Sequence, residues 1–177
     1  MTNLINLITI IRIMLAPVIL FFLMTGNFLM CTLLFFIAGL TDYLDGHLAR
    51  KYNAESQLGE ILDPIADKIL IVFILLGLSV TLDSYLIAFL SSLIIAREIG
   101  VAALRDYSSR NNISDRTKVT FLAKTKTAVQ LFTIGSYLLA MTLNLNLLIV
   151  VSDILLMVAT LITLYTGYQY AIKVSQK

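Results

Sequence analysis

The sequence predicts an all-α integral membrane protein with six transmembrane helices and both termini in the cytoplasm. Three observations lead there. The 177 residues are 59% hydrophobic and 14% charged, with a mean hydropathy of +0.91, whereas a soluble domain is about a quarter charged. Six apolar stretches are each long enough to cross roughly 30 Å of hydrocarbon. The short turns at 25–27, 81–84 and 144–146 contain no lysine or arginine, and all 13 basic residues fall at or near the other side. Lysine and arginine mark the cytoplasmic side of a membrane protein.

The first stretch, 4–24, is interrupted by Arg12 and Pro17. Its opening places Asn3, Asn6, Thr9 and Arg12 at every third position, a polar row on one helix face. Such a row is either a helix end lying in the interface or the lining of a pocket. Arg12 favours the pocket, because a charge at that depth needs an anionic or aqueous partner. The second and third stretches, 28–50 and 58–80, flank a charged segment. The fourth, 85–105, leads into a polar loop at 106–116. The fifth and sixth run over 118–142 and 147–170, followed by a short tail. The length suits one domain over 1–177, and no internal repeat is visible. Net charge is +2, which gives no general polyanion-binding character and no reason to expect a nucleic-acid partner. The one cysteine, Cys31, sits in an apolar run and reads as a small core residue. The N-terminus lacks a basic region and a small-residue cleavage site, so the first stretch is expected to be retained. Asp153 lies well inside the sixth stretch with no partner evident from the sequence.

The chain is organised around residues 42–67. Asp42, Asp45, Asp63 and Asp67 fall here with Gly46, Arg50 and Gly59, where one apolar stretch ends and the next begins. Carboxylates at a membrane edge are costly and mark a functional site. On helices, Asp42 and Asp45 share a face, as do Asp63 and Asp67. Four close carboxylates repel one another unless a cation joins them. Hard oxygen ligation points to magnesium, manganese or calcium rather than zinc. The single histidine, His47, reads as a helix-surface residue, since the carboxylates already supply the ligands. Solvated helix caps would explain one or two of these aspartates, but not four at this spacing with glycine and arginine.

The spacing D-x-x-D-G-x-x-A-R-x8-G-x-x-x-D-x-x-x-D resembles the signature of the CDP-alcohol phosphatidyltransferases. Every fixed position is filled: Asp42, Asp45, Gly46, Ala49, Arg50, Gly59, Asp63 and Asp67. Asn6-x-x-Thr9-x-x-Arg12 is similar to an N-terminal element of the same family. The resemblance implies that an alcohol attacks the lipid-side phosphorus of a CDP-linked lipid and that CMP leaves. It implies two divalent cations, magnesium or manganese, held by Asp42, Asp45 and Asp63, with Asp63 bridging. Asp67 is implied as the general base that takes the alcohol proton, with a possible metal contact of its own. CDP-diacylglycerol would be met by Asn6, Thr9, Arg12, Gly46, Arg50, Ser56 and Gly59. Gly46 allows close backbone approach to the nucleotide, Arg50 offers a planar fork for phosphate, and Gly59 permits close helix packing.

Downstream basic residues suit a second phosphate. Arg97 and Arg105 are nearly two helical turns apart and face similarly. Arg97 lies too deep to be a topogenic flank, and Lys124 and Lys126 open the fifth stretch. Arginine and lysine converging beside a metal site would bind an acceptor phosphate. The segments A-R-E-I-x-x-x-x-L-R and K-x-K-T-x-x-Q resemble the branch of the family that forms phosphatidylglycerophosphate, which implies glycerol 3-phosphate as acceptor. Sister branches using phosphatidylglycerol, serine or inositol phosphate are the alternative, and a cation transporter is a more distant one, since its aspartates would sit nearer the midplane. The resemblance also implies a homodimer; the lysine and arginine bias puts the site in the cytoplasm, and the short six-span plan suits a bacterial cytoplasmic membrane.

Overall fold

The computed structural model describes residues 2–52, 57–110 and 121–175, and within them the side chains of 7–42, 59, 62–110 and 125–175. The described residues form six α-helices: α1 (Thr2–Met24), α2 (Phe28–Tyr52), α3 (Gln57–Thr81), α4 (Tyr85–Arg110), α5 (Phe121–Leu143) and α6 (Asn146–Ser175). Each apolar stretch is thus a helix. Two run further than expected. α4 continues to Arg110 through the first part of the anticipated loop, where Arg110 pairs with Asp106 at 2.9 Å and supports the last turn. α6 continues to Ser175, carrying its polar end well past the apolar stretch.

Four helices contain segments long and apolar enough to cross a membrane: Leu7–Met24, Leu62–Thr81, Tyr85–Arg110 and Asn146–Ser175. α2 contributes a shorter apolar run, Phe28–Asp42, before its charged end. α5 buries Lys126, Gln130, Thr133 and Ser136, which lowers its mean hydropathy. Burial is inverted relative to a soluble bundle. Leu33, Phe36, Phe89, Phe132 and Leu161 are exposed, while Thr32, Ser91, Ser152, Thr160 and Thr163 are buried. Small polar residues between helices and large apolar ones outside are the pattern that lipid surroundings favour.

The helices pack as a ring in the order α1, α2, α5, α6, α4, α3, with α3 also touching α5 across it. The core is built from Ile19 and Leu23 of α1, Ile74 and Leu78 of α3, Ile134 and Leu138 of α5, and Leu156 of α6. α1 and α3 approach closely because Gly77 has no side chain; a Cβ there would meet Leu20 Cδ1 at 2.6 Å and Leu23 Cδ2 at 2.7 Å.

The three turns without basic residues share one construction. Gly26, Asp83 and Asn144 adopt positive φ, at 78°, 44° and 53°. The next N–H in each case reaches back to a helix carbonyl: Asn27 to Phe22 at 2.9 Å, Ser84 to Ser79 at 3.2 Å and Leu145 to Ala140 at 2.9 Å. This left-handed cap satisfies carbonyls that a helix end leaves open. Asn27 Oδ1 and Ser84 Oγ then accept the N–H of Met30 and Ile87 and start the next helix. These turns gather at one end of the bundle, where Thr142 Oγ1 donates to the Phe28 carbonyl at 3.2 Å.

Asp153 has a partner after all. Tyr137 Oη of α5 donates to its Oδ1 at 2.5 Å, so the acid joins two neighbouring helices.

Candidate active site

The opposite end carries the charged residues. Thr9 and Arg12 lie one turn apart on α1 and face α2 and α3. Arg12 is one of the largest fully buried side chains, at 1% exposure. Its Nη1 donates to Asp42 Oδ1 of α2 at 2.5 Å and to Asp67 Oδ1 of α3 at 3.3 Å. Thr9 Oγ1 donates to Asp63 Oδ1 at 2.8 Å. The α1 row therefore engages three of the four motif aspartates directly. Asp42 and Asp67 each keep about two-fifths of their side chain exposed, 43% and 41%, while the cation between them is sealed. The carboxylates flank an inner positive charge and stay partly exposed themselves.

Asp45 and Gly46 lie on α2, three and four residues beyond Asp42, and Arg50 lies near the helix end. The side chains at Asn6, Asp45, Gly46, Arg50 and Lys124 fall outside those described, and Ser56 lies outside the described residues altogether. Gly59 is buried on α3, as close helix packing requires. Among the described residues no three His, Cys, Asp or Glu side chains close around one point tightly enough to hold a metal ion. The donor chemistry nonetheless fits a hard cation. Asp42, Asp63 and Asp67 are oxygen donors only, the first and last flank one positive charge, and those two stay partly exposed.

Beside Asp67 opens a cavity of about 430 Å³, lined among others by Asp67, Arg97, Glu98, Arg105, Lys126 and Gln130. Three of the four expected phosphate-binding residues, Arg97, Arg105 and Lys126, thus converge from α4 and α5, with α3 and α6 as the other walls. The side chains of Arg97 and Lys126 are each 8% exposed. Glu98 accepts from Arg97 Nη1 at 3.2 Å and also from Lys126 Nζ. Arg97 Nη2 donates to Thr166 Oγ1 of α6 at 2.9 Å, and Gln130 Nε2 donates to Thr163 Oγ1 at 3.0 Å. Arg105 is exposed at the mouth. Lys68, next to Asp67, also lines the cavity.

Four residues carry roles that sequence reasoning did not assign: Glu98, Gln130 and Thr166 in the cavity, and Gly167, against which the stem of Arg97 packs. Glu98 offered a signal, being a second charge at the depth of Arg97. Gly167 offered none, since a glycine in an apolar helix reads as packing.

Comparison with known proteins agrees with this architecture. The family model described as CDP-alcohol phosphatidyltransferase matches residues 2–166. A protein of Rickettsia bellii is 39% identical over 172 residues, covering 95% of this chain and 93% of that one. One from Haemophilus influenzae is 34% identical over 166 residues, 92% of this chain and 88% of that one. One from Shigella flexneri is 30% identical over 171 residues, 95% and 92%. All three bear the name CDP-diacylglycerol–glycerol-3-phosphate 3-phosphatidyltransferase. The match takes in the α1 row, the aspartates of α2 and α3 and the cationic cavity together, and by it the chain belongs to the CDP-alcohol phosphatidyltransferase family.

Proposed function

We propose that this protein transfers the phosphatidyl group of CDP-diacylglycerol to glycerol 3-phosphate, giving phosphatidylglycerophosphate and CMP. One observation carries the reading. Asp67 belongs at once to the carboxylate cluster, through Arg12, and to the wall of the cationic cavity. A base that serves two substrates must stand between them. The names of the relatives point the same way.

The acceptor phosphate enters the cavity and pairs with Arg97, Lys126 and Arg105, with Lys124 completing the basic rim. This leaves the acceptor's terminal hydroxyl directed at Asp67. Its oxygen bonds to the lipid-side phosphorus, its proton passes to Asp67, and the bond from that phosphorus to the CMP oxygen breaks, with the electron pair leaving on CMP. Asp42, Asp45, Asp63 and Asp67 would hold two divalent cations, magnesium or manganese, whose charge offsets that of the diphosphate and of the departing CMP. Arg12 and Thr9 fix the aspartates in place. Asn6, Gly46, Arg50, Ser56 and Gly59 complete the nucleotide side. The six helices cross the bacterial cytoplasmic membrane with both termini and the site in the cytoplasm. The three turns without lysine or arginine, at the end away from the site, support this orientation. The chain is one catalytic domain and pairs as a homodimer.

The test is turnover in detergent micelles with CDP-diacylglycerol and labelled glycerol 3-phosphate, in magnesium, manganese or EDTA. Metal-dependent phosphatidylglycerophosphate formation is expected, with kcat at least about a hundredfold lower in Asp67→Asn. Product from inositol phosphate, serine or phosphatidylglycerol, and none from glycerol 3-phosphate, would replace the acceptor. Absence of CMP release with any alcohol, from folded protein, would overturn the reading.

A further inference from the structure

Resting on that reading of the cavity, we infer that Gln130 reads the middle hydroxyl of the acceptor and makes the site selective for a polyol phosphate over a simple hydroxyalkyl phosphate. Of the buried side-chain polar atoms without a hydrogen-bond partner among the described residues, three belong to residues lining this cavity: Arg97 Nε, Gln130 Oε1 and Tyr170 Oη. Their chemistry differs. Arg97 Nε can only donate, and Tyr170 Oη can donate, so both suit phosphate oxygens. Gln130 Oε1 can only accept, and a phosphate dianion has no proton to give it. Two other acceptors there, Glu98 and Thr166, are already committed. Glu98 takes hydrogen bonds from Arg97 and Lys126, and Thr166 Oγ1 takes one from Arg97. Asp67 faces the attacking hydroxyl. A buried acceptor left unmatched costs about 1–3 kcal/mol, so Gln130 Oε1 calls for a ligand O–H that is neither phosphate nor nucleophile. On glycerol 3-phosphate that group is the hydroxyl on the central carbon.

The amide is set for this task. Gln130 is 3% exposed and Thr163 is fully buried. The hydrogen bond from Nε2 to Thr163 Oγ1 anchors the nitrogen on α6. Thr163 and Thr166 are one turn apart, so a single face of α6 orients both Gln130 and Arg97. The hydroxyl reader and the phosphate binder are therefore held in fixed register.

The experiment compares glycerol 3-phosphate with 3-hydroxypropyl phosphate, which keeps the phosphate and the attacking hydroxyl and lacks the central one. Sites built to bind a hydroxyl strongly reject the analogue without it, so the unaltered protein should prefer glycerol 3-phosphate by at least about a hundredfold in kcat/KM. In Gln130→Met the preference should fall to within about tenfold, through loss on glycerol 3-phosphate alone, with the KM for CDP-diacylglycerol unchanged. Thr163→Val, which keeps the amide and frees it to turn, should fall between the two. It supplies the test should Gln130→Met fail to fold. Equal losses on both acceptors would assign Gln130 to the phosphate or to packing and overturn the inference. So would an unaltered protein that does not discriminate. Activity on some other alcohol with none on glycerol 3-phosphate would instead remove the acceptor assignment, and the inference with it.

Discussion

Gly167 of α6 forms the seat on which the side chain of Arg97 rests. A Cβ at Gly167 would lie 2.8 Å from Arg97 Cγ and 2.9 Å from its Nε, too near for either atom to stay. The clash falls on the stem of the arginine, so the whole guanidinium would have to move, and with it the hydrogen bond to Thr166. Gly167→Ala should raise the KM for glycerol 3-phosphate by roughly tenfold or more, since displacements near 1 Å cost rates on that scale. The KM for CDP-diacylglycerol should not change. Glycine to alanine inside a helix otherwise favours folding by about 0.5–1 kcal/mol, which offsets part of the cost of displacing the buried arginine, about 1–3 kcal/mol, so the melting temperature should fall only slightly. Steady-state kinetics with each substrate varied in turn, beside a melting curve, separate this from general damage. Equal rises in both KM values would remove Gly167 from the acceptor side.

Arg12 supplies the buried positive charge between Asp42 and Asp67. Removing one partner of a buried ion pair costs about 3–5 kcal/mol when both are buried. Both aspartates are partly exposed here, so water recovers much of that, and about 1–2 kcal/mol is the expected loss for Arg12→Met. The two carboxylates would then repel across the gap. A divalent ion supplies what the variant lacks, so magnesium should raise the melting temperature of Arg12→Met by more than that of the unaltered protein. Thermal unfolding in EDTA and over a magnesium titration checks this. Equal metal responses would mean that the arginine and the metal do not share these carboxylates.

How much of this was legible in the sequence follows from where each contact is made. Asp42 could be paired with Asp45, and Asp63 with Asp67, because helical spacing alone fixes which side chains share a face; the family motif joined the two pairs, and the depth of Arg12 announced an anionic partner. That this partner would be the aspartates was not legible. It depends on α1 packing against α2 and α3 together. Glu98 stands next to Arg97, and neighbours on a helix point about 100° apart, so nothing local says that both turn inward. It takes Lys126 on α5 to show that they do. Gly167 and Asp153 are intelligible only through Arg97 and Tyr137, each on another helix. The first part of the loop expected over 106–116 is helix for a simpler reason. Its polar composition suits a helix end in water as well as a loop, and the exposed Asp106–Arg110 pair adds support to the last turn.

Glu98 acts as an internal counterion for the two buried cations of the cavity. In Glu98→Gln, Arg97 and Lys126 lose the charge that stabilises them, and the fold should weaken by about 2–4 kcal/mol. An entering phosphate restores the missing anion. Glycerol 3-phosphate, or inorganic phosphate, should therefore stabilise the variant more than the unaltered protein, and binding should depend more steeply on salt. Melting temperature against phosphate concentration at two ionic strengths tests both points. If phosphate stabilises the two proteins equally, the cations bind it without competition from Glu98.

Tyr137 and Asp153 offer a control remote from the site. Their hydrogen bond joins α5 to α6, and neither lines the cavity beside Asp67. Tyr137→Phe leaves Asp153 without its hydroxyl donor. A hydrogen bond to a charged group is worth about 1.5–3 kcal/mol, although in lipid the measured average is nearer 0.6, so a loss of about 1 kcal/mol is expected. Tyr137→Phe with Asp153→Ala should not add, because both changes break one contact. A double-mutant cycle on thermal stability measures that coupling. Both substrates' KM values should stay put, since α6 lines the cavity with Thr166, Gln169, Tyr170 and Lys173, several turns away from Asp153. Should either KM move, the α5–α6 contact reaches further along the helices than this hydrogen bond, and α6 would have to be treated as a lever on the acceptor site rather than a fixed wall.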